Sequence, residues 1–532
     1  MRAGEDFDVV VVGGGVGGVA AVRKLASAGL SVALVEDRLV AGECHYWGCN
    51  PSKTLLRPIE VFNLAKAVPG VREAISNEGL DVAAVFAKRD AIIEHLSDQD
   101  RTASLRQAGV AVFHGFGRLS GQRTVRVAHA DNTEAVLTAR HAVVVATGTR
   151  PNVPEIPGLA QARPWTNRDL TTMTQVPPRA LVVGGGAVAV EFATILTGLG
   201  SAVTLLVRGN TLLSNCEPDA RELVAQSLRS KGVTIHFETE LSAVARPVAG
   251  GPVTATFHRQ TIEVDEVVVA AGRRTNTDNI GLETVGLPGG GFVSVNDHLQ
   301  AVGVTGDWLY ALGDTTGRAR LSHISTYHGR VVADIIAARA AGRELRENEL
   351  AARDAGSLAQ VIFTEPQVVR AGRTESQARA EGFVVRTRTA RYPGTLSFLA
   401  LFRDGFEGWA KLVINAETNT LLGATFVGPE FSELVQAATL AIVAKVPVSL
   451  LRHAVAPHPT VNQVWDLLLA QESELAPLPK NGGRRYRRAL KRIALVVKPV
   501  RPRSLSGTTM TYFAPVEHDA ASGRAADLVV SL

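Results

Sequence analysis

Apolar positions in this chain gather into short unbroken runs. Four of them, Val9–Val12, Val143–Val145, Leu181–Val183 and Val267–Val269, are each followed at once by small residues. A run without polar alternation belongs to a strand covered on both faces, so all four are expected in parallel sheets. Helical spacing follows the first and third, giving two βαβ starts. The expected fold class is α/β with two dinucleotide-binding units.

The pattern changes near Leu358. Tyr392, Phe398, Phe402, Trp409–Ile414 and Leu421–Ala424 read as antiparallel strands, with a turn at Asn415–Asn419. Phe431, Leu434, Val435, Ala438, Ala441 and Ile442 then repeat at helical spacing. An α+β domain is expected here. Beyond the break Lys480-Asn481-Gly482-Gly483, Tyr486, Ala489, Leu490, Ile493, Ala494 and Val497 fall on one helical stripe among arginines and lysines. This segment reads as a solvated extension or as a basic amphipathic helix for an anionic membrane surface. The expected segments are 1–150, 151–275, 276–350, 351–475 and a basic extension, 476–532.

Charge is unevenly placed. Residues 477–532 hold eleven Lys/Arg and three Asp/Glu, whereas the remainder is slightly acidic despite the overall +5. The body gives no reason to expect a nucleic-acid partner. Three cysteines cannot frame a disulfide-built fold. No signal peptide precedes the first strand and no uncharged apolar stretch reaches membrane-spanning length, so a cytoplasmic location is expected.

Gly13-x-Gly15-x-x-Gly18 follows a strand and opens a helix. The first glycine permits the turn, the second lets a pyrophosphate approach, and the third lets helix and strand pack. Glu36 ends the next strand, where a carboxylate accepts from a ribose hydroxyl. Gly184-x-Gly186-x-x-Ala189 repeats the pattern, but the following strand, Val203–Val207, ends in Arg208 instead of an acid. An arginine there attracts a 2′-phosphate and favours NADP(H) over NAD(H). Gly272, after the run Val267–Val269, is a further nicotinamide-side candidate.

Cys44 and Cys49 lie just past the first glycine loop, in Cys44-His45-Tyr46-Trp47-Gly48-Cys49-Asn50-Pro51-Ser52-Lys53. Their spacing allows a redox pair, a metal clip or two inert thiols; no Cys/His cluster completes a four-ligand metal set, and no metal is expected. Pro51 suits the first turn of a helix, so Cys49 is expected at a helix N-terminus beside Lys53, two features that favour a thiolate. Trp47 and Tyr46 offer a stacking platform for an aromatic acceptor, or fill space. Cys216 reads as a bystander.

These motifs, with Ala146-Thr147-Gly148, Gly186–Glu191, Gly313-Asp314 and His458-Pro459-Thr460, resemble the class I pyridine nucleotide-disulfide oxidoreductases, the flavoprotein disulfide reductases. The resemblance implies two Rossmann-like domains, for FAD and for NAD(P), plus a C-terminal α+β dimerisation domain that makes a homodimer. It places Thr147, Gly148 and Asp314 against FAD. Cys49 is then the flavin-side thiol and Cys44 the interchange thiol of a redox-active disulfide that reduces a small disulfide-type acceptor. Lys53 and Glu191 meet where hydride arrives. His458 becomes the acid–base group across the dimer interface.

Two departures qualify the resemblance. Gln463 stands where the family usually has a Glu, and Gln orients an imidazole without stabilising its cation; Asp466 and His453 are the nearby substitutes. Ala187 replaces a tyrosine that often covers the nicotinamide pocket. The alternatives are a quinone-type reductase with electrons leaving from the flavin, and a redox-sensing protein that binds through its basic tail. The missing terminal cysteines disfavour mercuric reduction.

Overall fold

The computed structural model describes residues 5–75, 79–346, 352, 354, 356–392 and 397–470, all within the compact unit Met1–Gln471. The expected basic stripe of the tail lies outside the described residues.

Strand Glu5–Val12 pairs in parallel with Val32–Glu36 and with Glu134–Val145, and Val110–His114 adds a further parallel strand. Leu309–Ala311 returns from far along the chain to pair in parallel with Val143–Val145. Val9, Val10 and Val11 have no exposed surface. Because successive side chains point to opposite faces of a sheet, this requires cover on both sides. Helix α1 (Val16–Ser27) provides cover on one face together with helix Ser322–Ala340. These two helices approach backbone to backbone. A Cβ on Gly329 would lie 2.3 Å from the Gly17 carbonyl oxygen. That approach fixes where the N-terminus of the later helix, and Ser322 with it, arrives.

In the second unit Arg179–Val183 lies between Ala202–Leu206 and Glu266–Val269, with Thr234–His236 outermost, all parallel. An antiparallel meander, Ala243–Ala245, Val253–Phe257 and Gln260–Val264, is not legible in the apolar pattern. Its second turn places His258 and Arg259 at positive φ, without the Gly or Asn that signals such a hairpin.

The third sheet is antiparallel, ordered 359–362, 367–372, 420–428, 408–415, 385–392. Helix Leu434–Val443 packs its buried Leu434, Ala438 and Ala441 into the same core. The expected turn is present: Asn415 Oδ1 accepts from the Glu417 and Thr418 amides, at 2.9 and 3.2 Å. Two expectations are corrected. Phe398 belongs to the short helix Ser397–Ala400, and Phe402 to the turn after it. Both rings pack into the core of the third sheet, Phe398 buried and Phe402 partly buried. Their spacing of four places two side chains on one face of a strand as well as of a helix, so the apolar pattern does not separate the two.

Arg89 carries this packing to the redox region. It is buried, and its Nη1 donates to the carbonyls of Thr171 and Met173, at 2.8 and 3.0 Å. Those carbonyls end helix Asn167–Thr171, which grips the cysteine segment from outside. We predict that Arg89→Leu lowers unfolding free energy by about 2–4 kcal/mol, because two buried carbonyls lose their donor. Urea denaturation of the two proteins side by side checks this.

Candidate active site

The cysteines sit on two consecutive helices, α2 (Gly42–Tyr46) and α3 (Cys49–Lys66). Gly42 has φ +64°, and a Cβ there would meet Gly15 Cα at 2.8 Å. The redox segment therefore rests directly on the first glycine loop. Cys44 and Cys49 are free thiols, half-buried, and hydrogen-bonded to each other. That bond from Cys44 is the largest influence on Cys49, whose pKa falls to about 6. Burial opposes the fall, while Ser322 and the Lys53 charge assist it and Glu191 counters. Cys49 is thus favoured as a thiolate, as expected, with Lys53 contributing; the neighbouring thiol, not anticipated from the sequence, contributes most, and Glu191 works against the lysine. Cys44 moves the opposite way, its pKa raised first by its hydrogen bond to Cys49 and then by burial. Ser322 Oγ lies 3.2 Å from Cys49 Sγ. No local feature of the sequence marks Ser322 as a site residue.

Glu43, beside Cys44, receives Arg168 Nε and Nη2 at 3.0 and 2.6 Å and Asn167 Nδ2 at 2.8 Å. Asn167 also donates to the Trp47 carbonyl at 2.7 Å, and the Arg168 guanidinium covers the Trp47 ring at 4.7 Å. His45 is buried against Asn50 and Arg101, at 2.7 and 2.9 Å; burial and the Arg101 charge depress its pKa. Tyr46 has no exposed surface and donates to the Ser97 carbonyl at 3.0 Å. Tyr46 therefore fills space. The expected two-ring stacking platform is reduced to Trp47, itself faced by Arg168.

Lys53 Nζ and Glu191 Oε2 form an ion pair at 2.7 Å, joining α3 to helix Ala187–Gly198. The Phe363 amide donates to Glu191 Oε1 at 3.0 Å, so the buried carboxylate is held from a third domain.

Both cysteines, Ser322, Lys53 and Glu191, with Glu43, Trp47, Asn167 and Arg168, line one cavity of about 590 Å³, from which His45 and Tyr46 are set back. It also receives Gly13, Gly15, Glu36, Thr147, Gly148 and Asp314. Gly18 lies under the loop, and a Cβ there would come within 2.0 Å of the Gly13 carbonyl oxygen. Glu36 accepts from the Gly14 and Arg38 amides, at 2.6 and 2.9 Å, and burial raises its pKa to about 7. Asp314 Oδ2 accepts from Thr149 at 2.7 Å, and the Gly313 amide donates to the buried His328 at 3.2 Å. The cavity fits FAD on its own chemistry. A Cβ on Gly15 would meet nothing within 4 Å, which leaves the end of α1 open to a pyrophosphate. Thr147 Oγ1 is buried with no partner among the described residues, and a bound polar ligand would satisfy it.

In the second glycine loop, Gly184 has φ +141°, Gly186 is open, and Ala189 is fully buried. Arg208 is exposed and makes no hydrogen bond or ion pair among the described residues. Gly272, at φ +100°, presents its carbonyl to the Asn152 amide. These five residues do not line the FAD cavity; Val188, next to Ala187, does. His458 Nδ1 lies 2.9 Å from Gln463 Oε1, exposed and away from the cavity. Among the described residues neither suggested substitute, Asp466 or His453, hydrogen-bonds to it: Asp466 accepts from the Ala456 amide at 3.4 Å, and His458 is bonded to Gln463 alone. Cys216 is buried. Among the described residues no group of three or more His, Cys, Asp or Glu is placed to hold a metal, and no helix is long and apolar enough to cross a membrane.

Two dinucleotide-binding units around a thiol pair on one cavity define a flavin- and nicotinamide-dependent dithiol enzyme. The chain belongs to the pyridine nucleotide-disulphide oxidoreductase family, which it matches over residues 7–329, with that family's dimerisation domain at 358–468. It is an FAD-dependent enzyme that uses NAD(P)H, and the dimerisation domain supports a homodimer. It is 30% identical to a mercuric reductase of Staphylococcus aureus over 86% of this chain and 80% of that protein. It is 31% identical to a dihydrolipoyl dehydrogenase of Synechocystis sp., over 87% and 98%. Among solved structures it is similar in fold to the Cu(II) complex of the HOCl-induced flavoprotein disulfide reductase RclA of Escherichia coli. The TM-score is 0.74 at 23% identity, covering 88% of this chain and all of that one.

The thiol pair makes a sharp prediction. The thiolate of Cys49 persists above about pH 6 and is lost as pH falls through that value. In the reduced protein, Cys44→Ser keeps a donor to Cys49 and leaves this inflection within about one unit, whereas Cys44→Ala moves it up towards the ordinary thiol range. The pH dependence of iodoacetamide alkylation at Cys49, followed by mass spectrometry, reads both.

Proposed function

We propose that this enzyme moves two electrons from NADPH through FAD to the Cys44–Cys49 pair and on to a small disulfide. The carrying observation is the asymmetry of the pair: Cys49 is the stabilised thiolate and Cys44 the hydrogen-bonded partner, both on the cavity wall. FAD supplies the junction between a hydride donor and a pair of thiols.

Cys44, once deprotonated, attacks one sulfur of the acceptor; a mixed disulfide forms and the first product leaves as thiolate. Cys49 then attacks Cys44 Sγ, releases the second product, and leaves the Cys44–Cys49 bond. Two electrons from NADPH reopen that bond. The sum is NADPH, one proton and a disulfide going to NADP⁺ and two thiols. Lys53 and Glu191 hold fixed charge beside the reacting atoms. Glu36 and Asp314 would hold hydroxyl groups of the flavin nucleotide, and Arg208 would hold the 2′-phosphate of NADPH. His458, oriented by Gln463, delivers protons across the dimer interface. Because Gln463 is neutral, it cannot hold the imidazolium as a carboxylate would.

Two outcomes are expected. Cys44→Ser abolishes NADPH-dependent reduction of a disulfide panel while anaerobic NADPH still bleaches the flavin in a single turnover. Persistent turnover in that variant would instead show electrons leaving directly from the flavin. Arg208→Glu raises KM for NADPH at least about tenfold, a loss of about 1.4 kcal/mol, with KM for NADH nearly unchanged. Equal KM changes for the two cofactors would remove Arg208 from cofactor choice.

A further inference from the structure

The cavity is lined by six cationic side chains, Arg38, Lys53, Arg150, Arg168, Arg273 and Arg320. Five of them lie within ion-pair distance of a carboxylate: Asp37 for Arg38, Glu191 for Lys53, Asp278 for Arg150, and Glu43 for both Arg168 and Arg273. Arg320 is the exception. Its guanidinium has no carboxylate within 4.0 Å and no hydrogen bond among the described residues.

Its place in the chain gives that free charge a direction. Arg320 lies just before helix Ser322–Ala340, whose first residue touches Cys49 Sγ through Ser322 Oγ at 3.2 Å. The helix N-terminus adds unpaired amides and partial positive charge at the same end of the cavity. Arg320 is solvent-exposed where it lines the cavity, two residues before the nineteen-residue helix whose positive end meets Cys49, so its charge is partly screened but has no counter-charge to cancel it.

Hydride transfer changes the charge of that region. NAD(P)H gives up a hydride, two electrons and one proton, and becomes NAD(P)⁺. The FAD that accepts it gains one negative charge until a further proton arrives. A charge that forms during reaction is stabilised by an opposite charge already in place and not cancelled by a neighbour. Lys53 cannot serve fully, since Glu191 neutralises it at 2.7 Å.

We propose that Arg320 is the charge-balancing residue for the reduced flavin, stabilising the anionic two-electron-reduced form and so raising the flavin potential. This rests on the FAD assignment and on no particular acceptor. The test is potentiometric. The full-length holoprotein carrying Cys44→Ser and Cys49→Ser has no competing thiol couple, so only the flavin titrates. In that background Arg320→Gln lowers the flavin midpoint at least about 30 mV, a tenfold loss of preference for the reduced form. Arg320→Lys, which keeps the charge, retains more than half of the difference, and the visible spectrum confirms full flavin content in all three proteins. An unchanged midpoint in Arg320→Gln would overturn the proposal, as would an equal fall in Arg320→Lys. Failure of the wild type to reduce any disulfide would overturn the proposed acceptor and leave this potential difference standing.

Discussion

The ion pair between Lys53 and Glu191 holds the site together. It spans from the helix that begins at Cys49 to the helix that opens the second nucleotide unit. Glu191 is buried, and a buried carboxylate is stable only where its oxygens are matched. One oxygen takes Lys53 and the other takes the Phe363 amide from beside the third sheet. Three domains thereby agree on the position of one carboxylate. The cost of leaving it unmatched ties the thiols, the second nucleotide unit and the dimerisation domain to a common frame.

Within that frame the thiols are not equivalent, and their difference comes from position. Cys49 takes hydrogen bonds from Cys44 and Ser322; Cys44 spends its proton on Cys49. The segment between them has little freedom to blur the distinction. Glu43 and Trp47 are gripped by Asn167 and Arg168, and His45 is wedged between Asn50 and Arg101. A stiff segment keeps the two sulfurs within reach of one another, which a bond that must open and close in each turnover requires. The bulky His45-Tyr46-Trp47 spacer is better explained by this anchoring than by an acceptor platform.

Much of the fold is legible because its signals are local. Unbroken valine runs mark doubly covered strands, and glycine spacing marks a turn that approaches phosphates; both act within a dozen residues. The antiparallel meander of the second unit escapes such reading because His258 and Arg259 adopt a turn geometry normally advertised by glycine. Phe398 and Phe402 mislead because two aromatic residues four apart satisfy a helix while their residue types favour strands. At the site, Cys44, Cys49, Lys53 and Glu191 stand out as motif positions. Ser322, Glu43, Arg168 and Arg320 do not, since a serine, a glutamate or an arginine carries no signal until its neighbours are known.

Short-range spacing in the chain is enough to specify the fold class, the two nucleotide loops, the close thiol pair and the family resemblance. Packing alone settles which thiol is favoured as the anion, which cavity-lining cation has no counter-charge among the described residues, and that Tyr46 is core. Ser322 meets Cys49 across 273 positions of chain, and Lys53 meets Glu191 across 138. Electrostatic energies change steeply over an ångström or two, and such distances are set by how helices and sheets pack against one another.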